Sequence, residues 1–418
     1  GGRIYRRSLV MLLTTAVDEL WPGTKVSVSY AVPDGGFYCF PMQRQPFTAE
    51  ELAQIEAHMR QIVRDSSPIS KKIAPLEEAV ALFEQRGDDD KVRLLEQRTR
   101  NGLTIYTLRG RSDYYFGYMV PSTSYLTVFR LVQAAPGFIL QYPTADQPTA
   151  LGEIKPYAKI GSVFQQAEEW LNRMGVEDIG RLNRIVREDR EQELILVAEA
   201  LHEQQIARIA AEIERRHHDR GLRLVFIAGP SSSGKTTFSK RLAIQLLAHG
   251  LRPFTLELDN FFVDRELTPR DETGNFDFEA LETINLPLFN DSLLRLTQGE
   301  QVQLPRFDFI HGKSTKGLLA QLSENQIIII EGIHGLNPDL VTSVPEDSIY
   351  RIYASALTQL NVDAHNRVPT TDVRLLRRIT RDAVQRGYSA TDTIIRWPSV
   401  RRGEKRYIFP YQENADVM

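Results

Sequence analysis

The sequence predicts an α/β fold: a mostly parallel sheet flanked by helices in the second half, preceded by an α+β region and a helical connector. Three observations predict it. The apolar run Leu222 to Ala228 leads into the glycine-bearing stretch Gly229-Pro230-Ser231-Ser232-Ser233-Gly234-Lys235-Thr236-Thr237, and then into a helical pattern from Phe238 to Ala248. From Gly221 onward, short apolar runs alternate with helical stretches, the rhythm of a parallel sheet. The first half instead carries short strands around tight-turn signals.

The elements follow in order. Ile4 to Leu20 has apolar residues at helical spacing. Val26 to Val32 and Phe37 to Phe40 read as strands around Asp34-Gly35-Gly36. Thr48-Ala49-Glu50-Glu51 is a capping box that opens a helix to about Asp65. Pro75 opens another helix, stopped by Gly87, and Asn101-Gly102 turns the chain between short strands. Leu103 to Tyr142 stays strand-like and aromatic, and Pro143 to Pro156 is a proline-bearing linker. Glu191 to His217 reads as one long helix with Leu194, Ala198, Leu201, Ile209 and Ile213 along one face. Beyond the first β/α unit, Phe254–Leu258, Gln326–Ile330 and Ser348–Tyr353 are the expected strands. Residues 1–145, 146–220 and 221–418 are the expected α+β domain, connector and β/α domain. Ala415 to Met418 reads as the start of a strand, so that last domain is expected to lack its final element.

Bulk properties bound the function. With 418 residues, two or three domains are expected. A net charge of −3 carries no global signal for nucleic acid or membrane. A single cysteine, Cys39, excludes an intrachain disulfide and suits a reducing compartment, so a cytoplasmic location is expected. No apolar run approaches the ~20 residues that span a bilayer. The chain begins Gly1-Gly2 without Met, so a targeting segment or further domain ahead of it stays open.

The stretch Gly229 to Thr236 fits G-x-x-x-x-G-K-[ST]. Its glycines let successive backbone N–H groups face one phosphate, Lys235 reaches the outer phosphates, and the Thr236 hydroxyl can ligate Mg²⁺. Asp259 and Glu331 stand at the carboxyl ends of two strands, where ligands bind in open parallel sheets. There they can accept a hydroxyl proton or serve the metal; the competing role for each is a helix cap or turn. Arg374, Arg377, Arg378 and Arg381 lie at i, i+3, i+4 and i+7, on one helical face. Such a stripe suits the anionic oxygens of phosphoryl transfer; its alternative is a surface face paired with acids such as Asp372 and Asp382.

These residues, in this order, resemble the uridine kinase family, in the group that includes phosphoribulokinase. The resemblance covers about Leu222 to Val417. It is carried by the phosphate loop, Leu258-Asp259-Asn260-Phe261-Phe262, Gly274-Asn275-Phe276-Asp277-Phe278, Pro305-Arg306-Phe307-Asp308-Phe309, Glu331-Gly332-Ile333 and the arginine helix through Arg386-Gly387. It implies an ATP- and Mg²⁺-dependent kinase acting on the 5′-hydroxyl of a nucleoside. Asp259 would be the base, Thr236 and Glu331 would serve Mg²⁺, and Asp277 would hold ribose hydroxyls. Arg378, Arg381 and Arg386 would bind phosphates and substrate. Phe276, Phe307 and Phe309 could stack on a base, with His311 nearby; ordinary core packing is the alternative for the rings. The departures fall on base reading. The family usually has tyrosine at Phe307 and Phe262, histidine at the position of Gly312, and a lid arginine at Tyr388. Broad nucleoside acceptance, or a shift away from uridine, is therefore expected. Two rivals stay open: a sugar-phosphate or other small-alcohol kinase, and an ATP-switched RNA-binding or regulatory protein.

The first ~145 residues resemble the editing domain of threonyl-tRNA synthetase. The resemblance rests on Arg6-Arg7-Ser8 with Leu12-Leu13, Asp34-Gly35-Gly36-Phe37-Tyr38, Pro46 to Leu52, and Gly117 with Val120-Pro121-Ser122-Thr123. That family's H-x-x-x-H and C-x-x-x-H positions read Arg7, Met11, Tyr115 and Met119 here, which cannot replace a metal-binding or proton-shuttling set. Loss of deacylation is expected. Docking or assembly is favoured over RNA binding for this domain, although Arg3, Arg6, Arg7, Tyr5, Tyr114, Tyr115 and Tyr118 form a cationic-aromatic set. A homo-oligomer stays open.

Overall fold

The structure, a computed structural model, describes residues 1–272, 274–358 and 360–418. The chain divides into two units. Unit 1 holds Gly1–Tyr157, Gly161–Leu194 and Thr358–Pro369; unit 2 holds Ala158–Ile160, Ile195–Leu357 and Thr370–Met418.

Unit 1 opens with α1 (Gly2–Leu20), β1 (Val26–Val32), β2 (Gly36–Pro41) and α2 (Ala49–Arg64). The capping box is formed at the start of α2: the Thr48 hydroxyl accepts from Glu51 N at 3.2 Å, and Glu51 accepts from Thr48 N at 2.9 Å. Then come β3 (Ile69–Pro75), α3 (Leu76–Arg86), α4 (Asp89–Leu95), β4 (Gly102–Leu108), β5 (Arg111–Tyr114), β6 (Arg130–Ala134) and β7 (Gly137–Gln141). Two antiparallel sheets result, ordered β1-β2-β7-β6 and β3-β4-β5. Strand β3 and helix α4 were not expected: Ser-Lys-Lys inside β3 breaks its apolar alternation, and α4 is a short, charged helix. Helix α1 buries Leu9, Leu12, Leu13 and Ala16 in the core it shares with Ile55, Met59 and Phe138. Helices α5 (Ala158–Met174) and α6 (Ile179–Arg187) follow, and α7 (Glu191–Arg220) carries the chain into unit 2.

Unit 2 is built on β8 (Leu224–Ala228), α8 (Lys235–Ala248), β9 (Arg252–Glu257), α9 (Leu286–Thr297), β10 (Val302–Asp308), β11 (Lys313–Ala320), β12 (Gln326–Glu331) and β13 (Ile349–Tyr353). It closes with α10 (Thr370–Arg386) and α11 (Ala390–Tyr407). The parallel sheet runs β13-β8-β12-β9, and β10 and β11 form a separate hairpin. The sheet is covered on both sides. Phe226, Ile328 and Ile330 face Phe289 and Leu293 of α9. Val225, Ile227 and Ile329 face Leu242 and Leu246 of α8 and Ile206 and Ile213 of α7. Two-sided burial explains the unbroken apolar runs of β8 and β12. Near the chain's end, Tyr353 N donates to Val417 O at 2.9 Å, in a parallel bridge beside β13. Among the described residues, no helix is long and apolar enough to cross a membrane.

Candidate active site

The buried strand β8 delivers the chain to Gly229, where a Cβ would stand 1.9 Å from Ala354 O; only glycine fits. Gly234 has φ +107° and caps α8, so the loop turns through a conformation that glycine adopts without strain. The N-terminal amides of α8 then face the loop's interior, a ready anion site. The Ser232 and Ser233 hydroxyls are buried without a protein partner, as expected of a cradle shaped for phosphate oxygens. Lys235 Nζ folds back onto Gly229 O at 3.0 Å and Pro230 O at 3.4 Å. Burial lowers its pKa, opposed by Glu331 and Glu279. Thr237 is exposed, two residues into α8.

In the parallel register of β9 and β12, Glu257 lies beside Glu331. The Thr236 hydroxyl donates to Glu331 Oε1 at 2.7 Å. This oxygen pair beside the loop fits Mg²⁺, which takes few protein oxygens and completes its shell with phosphate and water. Asp259, on the 3₁₀ turn that follows β9, keeps a path to solvent although the surrounding protein strips much of its water and sets Glu257 and Glu331 near it. Desolvation raises its pKa, Glu257 and Glu331 add to the rise, and Lys235 and Arg386 oppose it. A carboxylate so placed binds a proton more readily than a free aspartate.

Helix α10 brings its arginines to the loop. Arg377 Nε donates to Ser232 O at 3.0 Å, and Arg378 Nη1 to Ser231 Oγ at 2.7 Å. Asp382, 2% exposed, takes Arg381 at 2.7 Å, Arg378 at 3.3 Å and Arg386 at 3.7 Å, which gathers three cations around one counterion. Arg374 departs from the expected anion-facing stripe. It is 1% exposed, bonded through Nη2 to Glu404 of α11 at 2.8 Å and through Nη1 to Ser231 O at 3.1 Å, so it ties the helix pair to the loop.

The base-side residues separate into two groups. Phe307 is buried, with Phe262 at 5.6 Å and Phe309 at 5.2 Å between ring centroids. Phe276 and His311 instead share a cleft of about 190 Å³ with Asp264, Arg265, Glu266, Gly312 and Lys313. His311 Nδ1 lies 2.6 Å from Asp308 Oδ2. Gly312 has φ +68°, and a Cβ there would meet Arg265 Cβ and Nε at 2.8 Å. Arg265 thus takes up the space where the resemblance places a histidine, and its Nη2 donates to Phe309 O at 2.5 Å. Asp277 accepts from the Tyr407 hydroxyl at 2.9 Å and from Glu279 N at 3.1 Å. Tyr407, Glu279 and Glu404 escape sequence reasoning: they sit in no recognised motif, and only the fold of α11 brings Tyr407 and Glu404 here. Burial raises the Glu279 pKa, opposed by Arg378.

Residues 224–418 match the phosphoribulokinase / uridine kinase family. A D-glycerate 3-kinase from Cryptococcus neoformans is 17% identical, with TM-score 0.36 over 52% of this chain and 90% of that one. A structure described as a possible uridine kinase from Bacillus stearothermophilus is 20% identical, with TM-score 0.30 over 47% of this chain and 87% of that one. The N-terminal region is similar to the threonine–tRNA ligase of Marinobacter nauticus, 35% identical over 136 residues. That match takes 32% of this chain and 21% of the ligase, so the chain spans about a fifth of the length of this curated relative.

In unit 1, the four positions where the editing-domain resemblance expects a metal and proton-shuttle set hold Arg7, Met11, Tyr115 and Met119. Met11 and Tyr115 are fully buried in the core, and Met119 packs against it. Arg7 donates to Tyr118 O, and its guanidinium carbon lies 3.2 Å from where a Gly117 Cβ would be. Of the cationic-aromatic set, Tyr114 and Tyr115 are buried, while Tyr118 is exposed beneath Lys71 Nζ at 5.1 Å.

Proposed function

We propose that unit 2 is an ATP- and Mg²⁺-dependent phosphotransferase that phosphorylates the 5′-hydroxyl of a nucleoside with weak base discrimination. The observation that carries this reading is Asp259: a proton-accepting carboxylate electrostatically coupled to Lys235, beside a phosphate cradle and the Thr236–Glu331 oxygen pair. Asp259 takes the hydroxyl proton as the oxygen attacks the terminal phosphoryl group, whose bond to the bridging oxygen of ADP breaks so that ADP leaves. Lys235 and the loop amides hold the β- and γ-phosphates, and Arg378 and Arg381 meet charge that develops on the phosphoryl oxygens. Thr236 and Glu331 would hold Mg²⁺, which would neutralise charge on the phosphates. Asp277, steadied by Tyr407, orients the ribose. Phe276 offers a stacking face in the cleft, but Gly312 and Phe307 supply no side-chain hydrogen bond to a base edge.

A second reading has its own support. Arg265 and Lys313 line the cleft and make no ion pair among the described residues. Two such cations suit an acceptor that carries a phosphate or carboxylate. The test is ATP turnover by the full chain against uridine, cytidine, a purine nucleoside, sugar phosphates and small hydroxy acids. A nucleoside preferred over every anionic acceptor supports the first reading. A preference for an anionic alcohol that Arg265→Ala abolishes supports the second.

A further inference from the structure

Strand β13 ends at Tyr353 in the kinase-family sheet, and the arginine-bearing α10 begins at Thr370. The chain between them does not stay with unit 2: Thr358–Pro369 is part of unit 1. There it is built in. Val28 N donates to Ala364 O at 2.8 Å, and Ala364 N donates to Asp90 at 2.8 Å. Asn361 Nδ2 donates to Ser29 O at 3.0 Å, and Asn366 Nδ2 to Tyr114 O at 3.0 Å.

The anchor is a buried charge network. Asp363 is 1% exposed and lies 3.2 Å from Lys91 Nζ, itself 1% exposed. Lys91 is also 3.1 Å from Asp113, which lies 3.2 Å from His365 Nδ1. Burial alone would neutralise Lys91, but Asp113, Asp363 and Asp90 together hold its pKa above the ordinary lysine range, so the network is charged. Removing one member leaves its buried partners less fully compensated, so the network resists being loosened one group at a time. Tyr115, one of the positions where the ligase would carry its working residues, stacks over His365 at 6.3 Å between ring centroids.

We propose that the ligase-like unit is the seat of the lid, and that Lys91, Asp113 and Asp363 are positioning residues for phosphoryl transfer. They act through residues 360–369 on the arginines of α10. The inference rests on the reading of unit 2 as a phosphotransferase. Helix α10 springs one residue beyond the anchored segment, and Arg386 lies about 24 Å along it at 1.5 Å per residue. A small tilt at the root moves the distal arginines by ångströms, and misplacement of that size is costly in a reaction that depends on positioning.

The direct test inserts Gly-Ser-Gly-Ser between Pro369 and Thr370 in the full chain. The insertion leaves every residue of the network and of α10 in place. The expected result is a fall in kcat of about tenfold or more, with the ATP Kd within twofold and an unchanged melting temperature. Hydrogen exchange of the α10 amides in the ATP-bound protein should also accelerate. Asp363→Asn, which retains an oxygen acceptor for the His365 and Asn366 amides, should move the same readouts in the same direction by a smaller factor. Unchanged kcat and unchanged α10 exchange in the insertion variant would overturn the proposal. If the unaltered chain turns over no acceptor, the phosphotransferase reading fails by itself, and the exchange measurement still decides whether the segment anchors α10.

Discussion

Lys235 and Asp259 are the residues on which the proposed chemistry turns. Lys235→Ala should leave the fold intact, because Nζ bonds only carbonyls of its own loop, and should lower kcat on the order of 10³-fold. Steady-state kinetics beside a melting curve check both halves. Asp259→Asn should retain ATP binding and lose transfer. Its effect on stability has a definite sign. The folded pKa of Asp259 is raised, so the folded state binds the proton more tightly than the unfolded chain. Stability therefore falls as pH rises from the ordinary carboxylate value of 3.8 through the raised value, and is flat above it. Asn escapes that loss, so Asp259→Asn should melt slightly higher than the unaltered chain at pH 7 and equally at pH 3. His334 gives the opposite case. Burial lowers its pKa from 6.5 to about 4, so its neutral form stabilises the fold above pH 6.5, and that contribution is lost as pH falls toward 4. A displacement of that size corresponds to at most about 3.4 kcal/mol. Denaturant titrations of His334→Gln at pH 7 and pH 4.5 should show a smaller acid loss than the unaltered chain.

At the scale of elements, the strand–loop–helix unit, the polar strand ends and the arginine-bearing helix were legible because each shows in a short local pattern. The direction of each arginine was not. Arg374, Arg377, Arg378 and Arg381 share a helical face in sequence, yet Arg374 turns into a buried pair with Glu404, thirty positions away. Helical spacing gives a face; it does not say what covers that face. Arg374→Met removes the buried partner of Glu404 and leaves it only the half-buried Arg401 at 2.6 Å, so it should destabilise unit 2 by about 2–4 kcal/mol, against a smaller loss for Arg374→Met combined with Glu404→Leu. A thermal-shift double-mutant cycle measures this. The cleft shows a similar limit. The sequence registers the absence of a histidine at Gly312, whereas the arrival of Arg265 in that space depends on a contact across 47 residues.

At the scale of the molecule, the two-part organisation was legible from the change in rhythm near Gly221 and from the separate resemblances of the two halves. What sequence could not reveal is that Thr358–Pro369 leaves the kinase-family unit and returns to it. Asp363, His365 and Asn366 read as ordinary loop residues until Lys91 and Asp113 are placed beside them. Under the proposed anchoring, the ligase-like unit would serve α10 without any chemistry of its own.

Acceptor-dependent phosphoryl transfer through Asp259 is the core of the proposed function. The most direct measurement is ADP release by the full chain with Mg²⁺ and ATP, with and without nucleosides and anionic alcohols, in the unaltered protein and in Asp259→Asn. The account predicts that at least one acceptor stimulates ADP release and appears as its phosphate ester, and that Asp259→Asn retains the ATP affinity but loses this stimulation by a factor of about 10² or more. Acceptor phosphorylation that persists at the normal rate per bound ATP in Asp259→Asn would contradict it, as would ATP binding with no acceptor phosphorylated by the unaltered chain.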